Sequence, residues 1–410
     1  MIRIAGAFVA ITIAVTAVGC TREAPAPQPK AAEQADAKSG EVDVSALDPG
    51  NYPTKPLPPM GNGGDRQHVA VLEANRIAEV VVGPWEVDPA IIEPAGIGQA
   101  YSGLPILPEK LQMVLSEEAA EVAESIMITG YASRRQIQGQ KVLLNVVFEM
   151  KDPEAAKSAA RDMPQKMLDY AGQYDFTKAT SVMPIPGHDG AFAVASTSTK
   201  YQQEGVTNRV TSFTARGPFV LMQSAETSGE MPEAVSLVAK TLDLQIPAID
   251  AFNPTPPAEL VNLPKDPTGL LARALPLAPK EENFDNNSTL GPRAMLSKEP
   301  KPIEAGDAFR DAGVDVKVFA NSTVFRTRDN AAAKALAADY SKTEGGTVTA
   351  ADAVPNLPDT ACYKLTYELT GTEKFACTGA FDRYTFAVYG KRLKDAHQMA
   401  AAQYLILATK

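Results

Sequence analysis

From residue 141 onward the chain writes one order of elements twice, and this repetition constrains the fold more than any other feature. In the first copy a β-rich apolar run, 141–150, ends at Asp152-Pro153-Glu154. That tripeptide supplies an N-cap, a proline at the first helical position and an acid in the first turn, so a helix should run to about Tyr170, kinked or divided at Pro164. A turn over 184–190 leads to a strand at 191–200, then to a strand or strand pair over 209–225 broken at Arg216-Gly217-Pro218. A helix over 232–242 closes the copy, with Val235, Val238 and Leu242 on one face. The second copy is β-rich over 314–328, and Asp329 caps a helix through Tyr340. A turn over 354–360 enters a strand at 361–369, strands continue to Tyr389, and a helix covers 393–407. Glu149-Met150-Lys151-Asp152 parallels Arg326-Thr327-Arg328-Asp329, and Asp189-Gly190-Ala191-Phe192 parallels Asp359-Thr360-Ala361-Cys362. The expected class is therefore α+β: two similar domains, each an antiparallel sheet with helices packed on one face.

Domain boundaries follow from composition. The proline-rich stretch 247–267 reads as a linker between an N-terminal domain, 61–246, and a C-terminal domain, 268–410. Such a junction makes a cleft or shared face, the commonest place to hold a ligand. Upstream, residues 20–60 are rich in proline and alanine and read as a solvated tether.

The first 19 residues have one basic residue, Arg3, before an apolar run from Ile4 to Val18. That run is too short to span a bilayer, which takes about 20 apolar residues, and suits the apolar region of a secretory signal. It ends in Ala17-Val18-Gly19-Cys20, which resembles the lipobox of bacterial lipoproteins, whose cysteine is acylated. The resemblance implies an acyl (palmitate-type) anchor on Cys20 and a location at the cell membrane on its extracytoplasmic face. An ordinary secretory signal cut at or near Gly19 is the competing reading.

Net charge is −10. That acidity argues against nucleic acid as a partner, which calls for clustered Lys and Arg, and against electrostatic attraction to anionic lipid. Cys20, Cys362 and Cys377 are the only cysteines. If Cys20 is acylated, the remaining pair in an oxidising compartment reads as a disulfide, against two separate buried thiols. A turn at Thr370-Gly371-Thr372-Glu373 would set Cys362 opposite Phe381, so joining the sulfurs requires a bulge or a different turn.

Taken together, Cys20, Tyr52-Pro53-Thr54, Arg76-Ile77-Ala78-Glu79, Trp85-Glu86-Val87-Asp88-Pro89 and residues 266–273 (Asp-Pro-Thr-Gly-Leu-Leu-Ala-Arg) resemble an actinobacterial lipoprotein family of uncharacterised function. The resemblance implies a two-part organisation and a cell-surface location. It implies no activity, cofactor or catalytic residue.

Signatures of chemistry are sparse. His68, His188 and His397 lie far apart, and no His-x-His, His-x-x-x-His or Cys-x-x-Cys spacing exists, so no metal site is expected. His188, within Pro-Gly-His-Asp-Gly, reads as a turn residue more than a catalytic one, and Trp85, between prolines, as a loop residue folded onto a core. No Gly-x-Ser-x-Gly or Ser-x-x-Lys motif occurs. Gly61-Asn62-Gly63-Gly64 lacks the following Gly-Lys-Ser/Thr of a phosphate loop. Glu117, Glu121 and Glu124 share a helix face beside Glu118, the usual look of a solvated face. Asp285-Asn286-Asn287-Ser288 is a polar turn without the alternating ligands of an EF-hand. The expectation is a surface lipoprotein without catalytic residues or cofactor, binding an envelope lipid or a protein partner. The alternative is an extracytoplasmic hydrolase acting on cell-wall or lipid material through paired acids.

Overall fold

The computed structural model describes residues 42–95, 102–170, 177–199, 205–283, 286–367 and 371–409. The signal segment, Cys20, the tether to residue 41, Asp285 and Thr370 lie outside the described residues. Residues Val42–Lys410 form one compact unit.

The N-terminal half contains α1 (Arg66–Ile77), α2 (Pro84–Val87), β1 (Glu93–Pro94), β2 (Gly103–Ile106), α3 (Glu117–Ala123), β3 (Met127–Ile137) and β4 (Lys141–Met150). It continues with α4 (Pro153–Asp169), β5 (Thr177–Met183), β6 (Phe192–Thr199), β7 (Val206–Arg216), β8 (Phe219–Thr227) and α5 (Met231–Asp250). The C-terminal half contains β9 (Ser288–Leu290), α6 (Pro302–Ala312), β10 (Val316–Phe319), β11 (Ser322–Arg326) and α7 (Asn330–Asp339). Then follow β12 (Thr347–Ala351), β13 (Ala361–Tyr367), β14 (Thr372–Phe381), β15 (Tyr384–Gly390) and α8 (Leu393–Ala408).

Each half is built on one antiparallel sheet. The first has the order β1-β3-β4-β8-β7-β6-β5, with β2 also on β3, and the second the order β12-β13-β14-β15-β11-β10-β9. Omitting β1, β2 and β9, the orders coincide: hairpin, helix, four-strand meander whose last strand returns to the hairpin, helix. The α+β class and the pair of similar domains therefore hold. Asp152 accepts from the N–H of Ala155 and Asp329 from that of Ala332, so equivalent aspartates start α4 and α7.

The helices do not share one face of each sheet, as the sequence led us to expect. On β4, Leu143 and Val147 pack in the cluster that contains Leu237, Val238 and Leu242 of α5, whereas Leu144, Val146 and Phe148 pack with Ala156, Ala159 and Met163 of α4. The apolar residues of β4, Val142 to Leu144 and Val146 to Phe148 on either side of Asn145, point to both faces, as in a strand buried on both sides. Helix α4 runs through Pro164 without a break, and α5 continues past Pro247 to Asp250, beyond the expected end of the helix. Its last turns stay on the core because Gln245 and Ile249 are buried there.

The two halves meet through a filled core. One apolar cluster combines Ile77, Tyr131, Leu221 and Leu237 of the first half with Leu290, Phe309, Phe325 and Leu336 of the second. Fully burying one such Leu or Phe is worth about 1.5–3 kcal/mol. The shared face anticipated from the sequence is thus occupied by side chains. Beyond α5, residues 251–255 are held by α1: buried Glu73 accepts from Arg76 at 2.8 and 2.7 Å and from the N–H and hydroxyl of Thr255 at 2.9 and 2.7 Å. Arg76 also donates to the Asn253 carbonyl and lies over the Phe252 ring.

Residues 42–60, expected within a solvated tether, form a strap on the C-terminal half. Leu47 is buried with the α8 core, Gln398 donates to the Asp48 carboxylate and Asn356 to the Ala46 carbonyl, and the Leu57 N–H donates to Ala272. Gly50 has φ +57°, and a Cβ there would meet the Gln398 side chain at 2.7 Å. Apart from one 3-10 turn at Val44–Ala46, the scattered apolar residues of this segment seat a largely extended chain.

Candidate functional site

Chemically distinctive groups gather in the C-terminal half. Cys362 of β13 faces Cys377 of β14, with a disulfide between them and Cα atoms 4.1 Å apart. The pairing needs no bulge: Thr372 and Glu373, expected in the turn, already lie in β14 opposite Tyr367 and Thr366. Both cysteines face α8, packing with Ala396 and Met399. Half-buried His397, on the same helix, brings a ring nitrogen to the sulfurs, the three ligating atoms lying within 4.8 Å of one another. Its Nε2 donates to the Asp352 carbonyl at 2.8 Å. Separations of 15 residues between the cysteines and a helix contributed from further along the chain hide this trio from any spacing motif.

On the opposite face of the same sheet lies a buried polar network. Lys317 is ion-paired with Glu299, both side chains under a tenth exposed, and the Tyr340 hydroxyl also reaches the Glu299 carboxylate. Glu344 accepts from Tyr389 at 2.5 Å and from Tyr363 at 3.4 Å. Burial pushes the Glu344 carboxyl up to about 7, against the Tyr389 hydrogen bond, which favours its charged form. Burial and neighbouring carboxylates raise the Tyr340, Tyr363 and Tyr389 phenols, keeping them as hydroxyl donors. Every carboxylate of this network is committed to partners within it.

Arg135 of β3 links this region to the N-terminal half. Its guanidinium is fully buried and donates to the carbonyls of Ile92, Ser297, Glu299 and Pro300 while lying over the Trp85 ring. Burial lowers its pKa to about 10, which leaves it charged at neutral pH. Trp85 is folded onto the core as expected, but from the short helix α2, whose first residue is Pro84, and not from a loop. Glu79, raised by burial, accepts from the N–H groups of Arg293 and Ala294 and so docks the entry to the second half. Glu149 lies near Glu73; burial first and that neighbour second push its carboxyl up to about 8. One of its oxygens has no hydrogen-bond partner among the described residues.

The other residues singled out from the sequence stay apart. His188 pairs with Asp243 at 3.0 Å, and His68 with Asp65, the N-cap of α1. Glu117, Glu118 and Glu121 lie on α3, and Glu124 instead borders a depression of ≈ 280 Å³ with Arg66, Gln67, Leu107 and Glu109. Asn286 receives the Asn283 N–H and donates to the Glu281 carbonyl, the behaviour of a polar turn. Among the described residues no helix is long and apolar enough to cross a membrane.

Family models described as "Domain of unknown function (DUF7373)", N-terminal and C-terminal, match residues 60–265 and 270–410. The crystal structure of the extracellular domain of PknH from Mycobacterium tuberculosis is similar over 42% of this chain and 94% of that one, at 14% identity and a TM-score of 0.29. No curated protein matches the sequence.

Proposed function

The chain belongs to the DUF7373 family, and from that premise we propose that it is an extracytoplasmic lipoprotein, anchored by acyl groups on Cys20, whose folded part binds an envelope lipid or protein partner without catalysing a reaction. The observation that carries this reading is the use of the cysteines. Cys362 and Cys377 are joined to each other, which suits an oxidising compartment and leaves Cys20 as the one cysteine outside the pair, at the end of an apolar run. More than one acyl chain makes such tethering stable. The non-catalytic part of the reading is supported by the interior, where the carboxylates of Glu73, Glu299 and Glu344 are engaged with Arg76, Lys317 and tyrosine hydroxyls.

Expression of wild type and Cys20→Ala with labelled palmitate tests the anchor. Wild type should carry label and sediment with membranes, and the variant should carry none and appear in the medium. A variant that still sediments with membranes would reject the anchor. Turnover of a cell-wall or lipid substrate by the purified protein, lost on Glu344→Gln with the fold intact, would favour the hydrolase instead.

A further inference from the structure

We propose that Cys362, Cys377 and His397, once the disulfide is reduced, form a binding site for a thiophilic d¹⁰ cation, Zn²⁺ being the probe, so that the disulfide and the metal are alternative occupants of one place. The three ligating atoms already lie within 4.8 Å of one another. In a tetrahedral site, with Zn–S about 2.3 Å and Zn–N about 2.0 Å, ligand atoms stand roughly 3.5–3.8 Å apart. Opening the S–S bond therefore asks for small side-chain adjustments on a rigid hairpin and helix. Two thiolates and one imidazole with a fourth position left to solvent are a ligand set that Zn²⁺ takes readily.

A second observation is independent of that proximity. The Asp352 carbonyl can only accept, so the 2.8 Å bond needs an N–H on Nε2, and in the neutral ring Nδ1 is then the nitrogen with a lone pair to offer. Metal-bound histidines characteristically give their other N–H to a carbonyl or carboxylate in this way. Cys362 and Cys377 are buried, but His397 is half-buried and opens a route from solvent.

The fold does not require these residues. Following the strand registers, Cys377 opposite Val388 corresponds to Ser212 opposite Gln223, and Cys362 opposite Cys377 to Ala193 opposite Ser212. With Gln403 matched to Gln245, His397 corresponds to Ala239. The same scaffold thus stands in the first half with Ala, Ser and Ala. The trio is an addition peculiar to the second half.

The chemistry balances with a dithiol reductant. Two electrons and two protons pass from that dithiol, which leaves as its own disulfide, and the Cys362–Cys377 bond becomes two thiols. Zn²⁺ then forms two Zn–S bonds as the two thiol protons go to water, and Nδ1 adds without proton release.

The test is Zn²⁺ binding by the full chain carrying Cys20→Ala, so that the pair are its only thiols. The protein is reduced with a dithiol, desalted under inert gas and titrated against a chromophoric chelator. The reduced protein should bind one equivalent and the oxidised protein none, and His397→Ala should weaken binding at least about 10-fold. Zn²⁺ should also slow re-formation of the disulfide in the parent but not in the His397→Ala variant. If reduction unfolds the chain, Zn²⁺ should restore its circular dichroism. Equal binding by reduced and oxidised protein, no binding by either, unchanged affinity on loss of His397, or failure of Zn²⁺ to refold an unfolded reduced chain would each overturn the proposal.

Discussion

The two halves share a device that no strand or helix pattern announces, and they differ in what surrounds it. In the first half Gln245 of α5 donates to the Val80 carbonyl and accepts from the Val82 N–H, while Asn145 of β4 donates to its oxygen. In the second, Gln403 of α8 donates to the Arg273 carbonyl and accepts from the Leu275 N–H, while Ser322 of β11 donates to its oxygen. One buried glutamine therefore pins the segment entering each sheet, through groups two residues apart, and the strand partner is polar both times. Around that pin the halves diverge. The first places Gln223, Asn145 and Ser212 beside α5, and the second places a disulfide and His397 beside α8. Geometry that satisfies buried backbone groups is retained in both halves because losing it leaves donors and acceptors unpaired. Neighbouring positions, filled by small side chains in one half, are free to acquire chemistry in the other.

That comparison can be broken most directly at the buried Lys317–Glu299 pair of the second half. Glu299→Gln should leave the Lys317 ammonium without its counter-ion in the interior, costing about 3–5 kcal/mol. A shift in denaturant midpoint of under a quarter of that would show the pair to be poorly coupled to the fold. The pins come next. Gln245→Leu and Gln403→Leu each strand several buried polar groups and should cost about 3 kcal/mol apiece. Equal losses would establish that the device acts alike in both halves, and a silent Gln403→Leu would end the equivalence.

Replacing the disulfide by the first half's residues, Cys362→Ala with Cys377→Ser, should keep the fold and lower stability by about 3 kcal/mol, as expected for a loop of 15 residues. The reverse exchange, Ala193→Cys with Ser212→Cys, should form a second disulfide, seen as the absence of additional alkylatable thiols. Free thiols at 193 and 212 would show that the registers do not correspond.

A smaller effect separates the halves in pH. Glu149 of the first half has its folded pKa raised to about 8, whereas the corresponding Arg326 makes a partly exposed ion pair with Asp315. A carboxyl with a raised folded pKa binds its proton more tightly in the native state, so stability should fall as pH rises from about 4.5 to 8. Glu344, raised to about 7, should add to the fall over the lower part of that window. Glu149→Gln should flatten the slope and stabilise the protein at pH 8 by on the order of 2 kcal/mol in thermal melts. An unchanged slope would remove Glu149 from the account. Smallest of all, His188→Ala should cost about 1 kcal/mol or less, because its partner Asp243 is largely exposed.

Much of this architecture is written locally. Asp152 and Asp329 announce their helices because capping is decided within four residues, and Arg216-Gly217-Pro218 marks the β7–β8 turn, with Gly217 at φ +55°. The double order of elements follows from such signals, whereas the pairing of Cys362 with Cys377 followed from the chain only on the reading that Cys20 is acylated, since three cysteines offer three pairings. Strand register was misjudged by a turn set too late, since register depends on which residues pair across the sheet, not on turn propensity alone. The β4 run, apolar on both sides of Asn145, did carry the two-sided burial, but a run without alternation reads alike for any doubly covered element. Nothing local could place His397 against the sulfurs, Gln403 against Arg273 and Leu275, or Arg135 against residues 297–300, because each contact closes a long loop whose ends only the packed sheets bring together. The chain by itself determined most of its elements and their repeated order. Which faces are covered, which buried charges meet and which side chains stand beside the disulfide were decided only when the two sheets closed on a common core, where desolvation favours pairing of most polar groups.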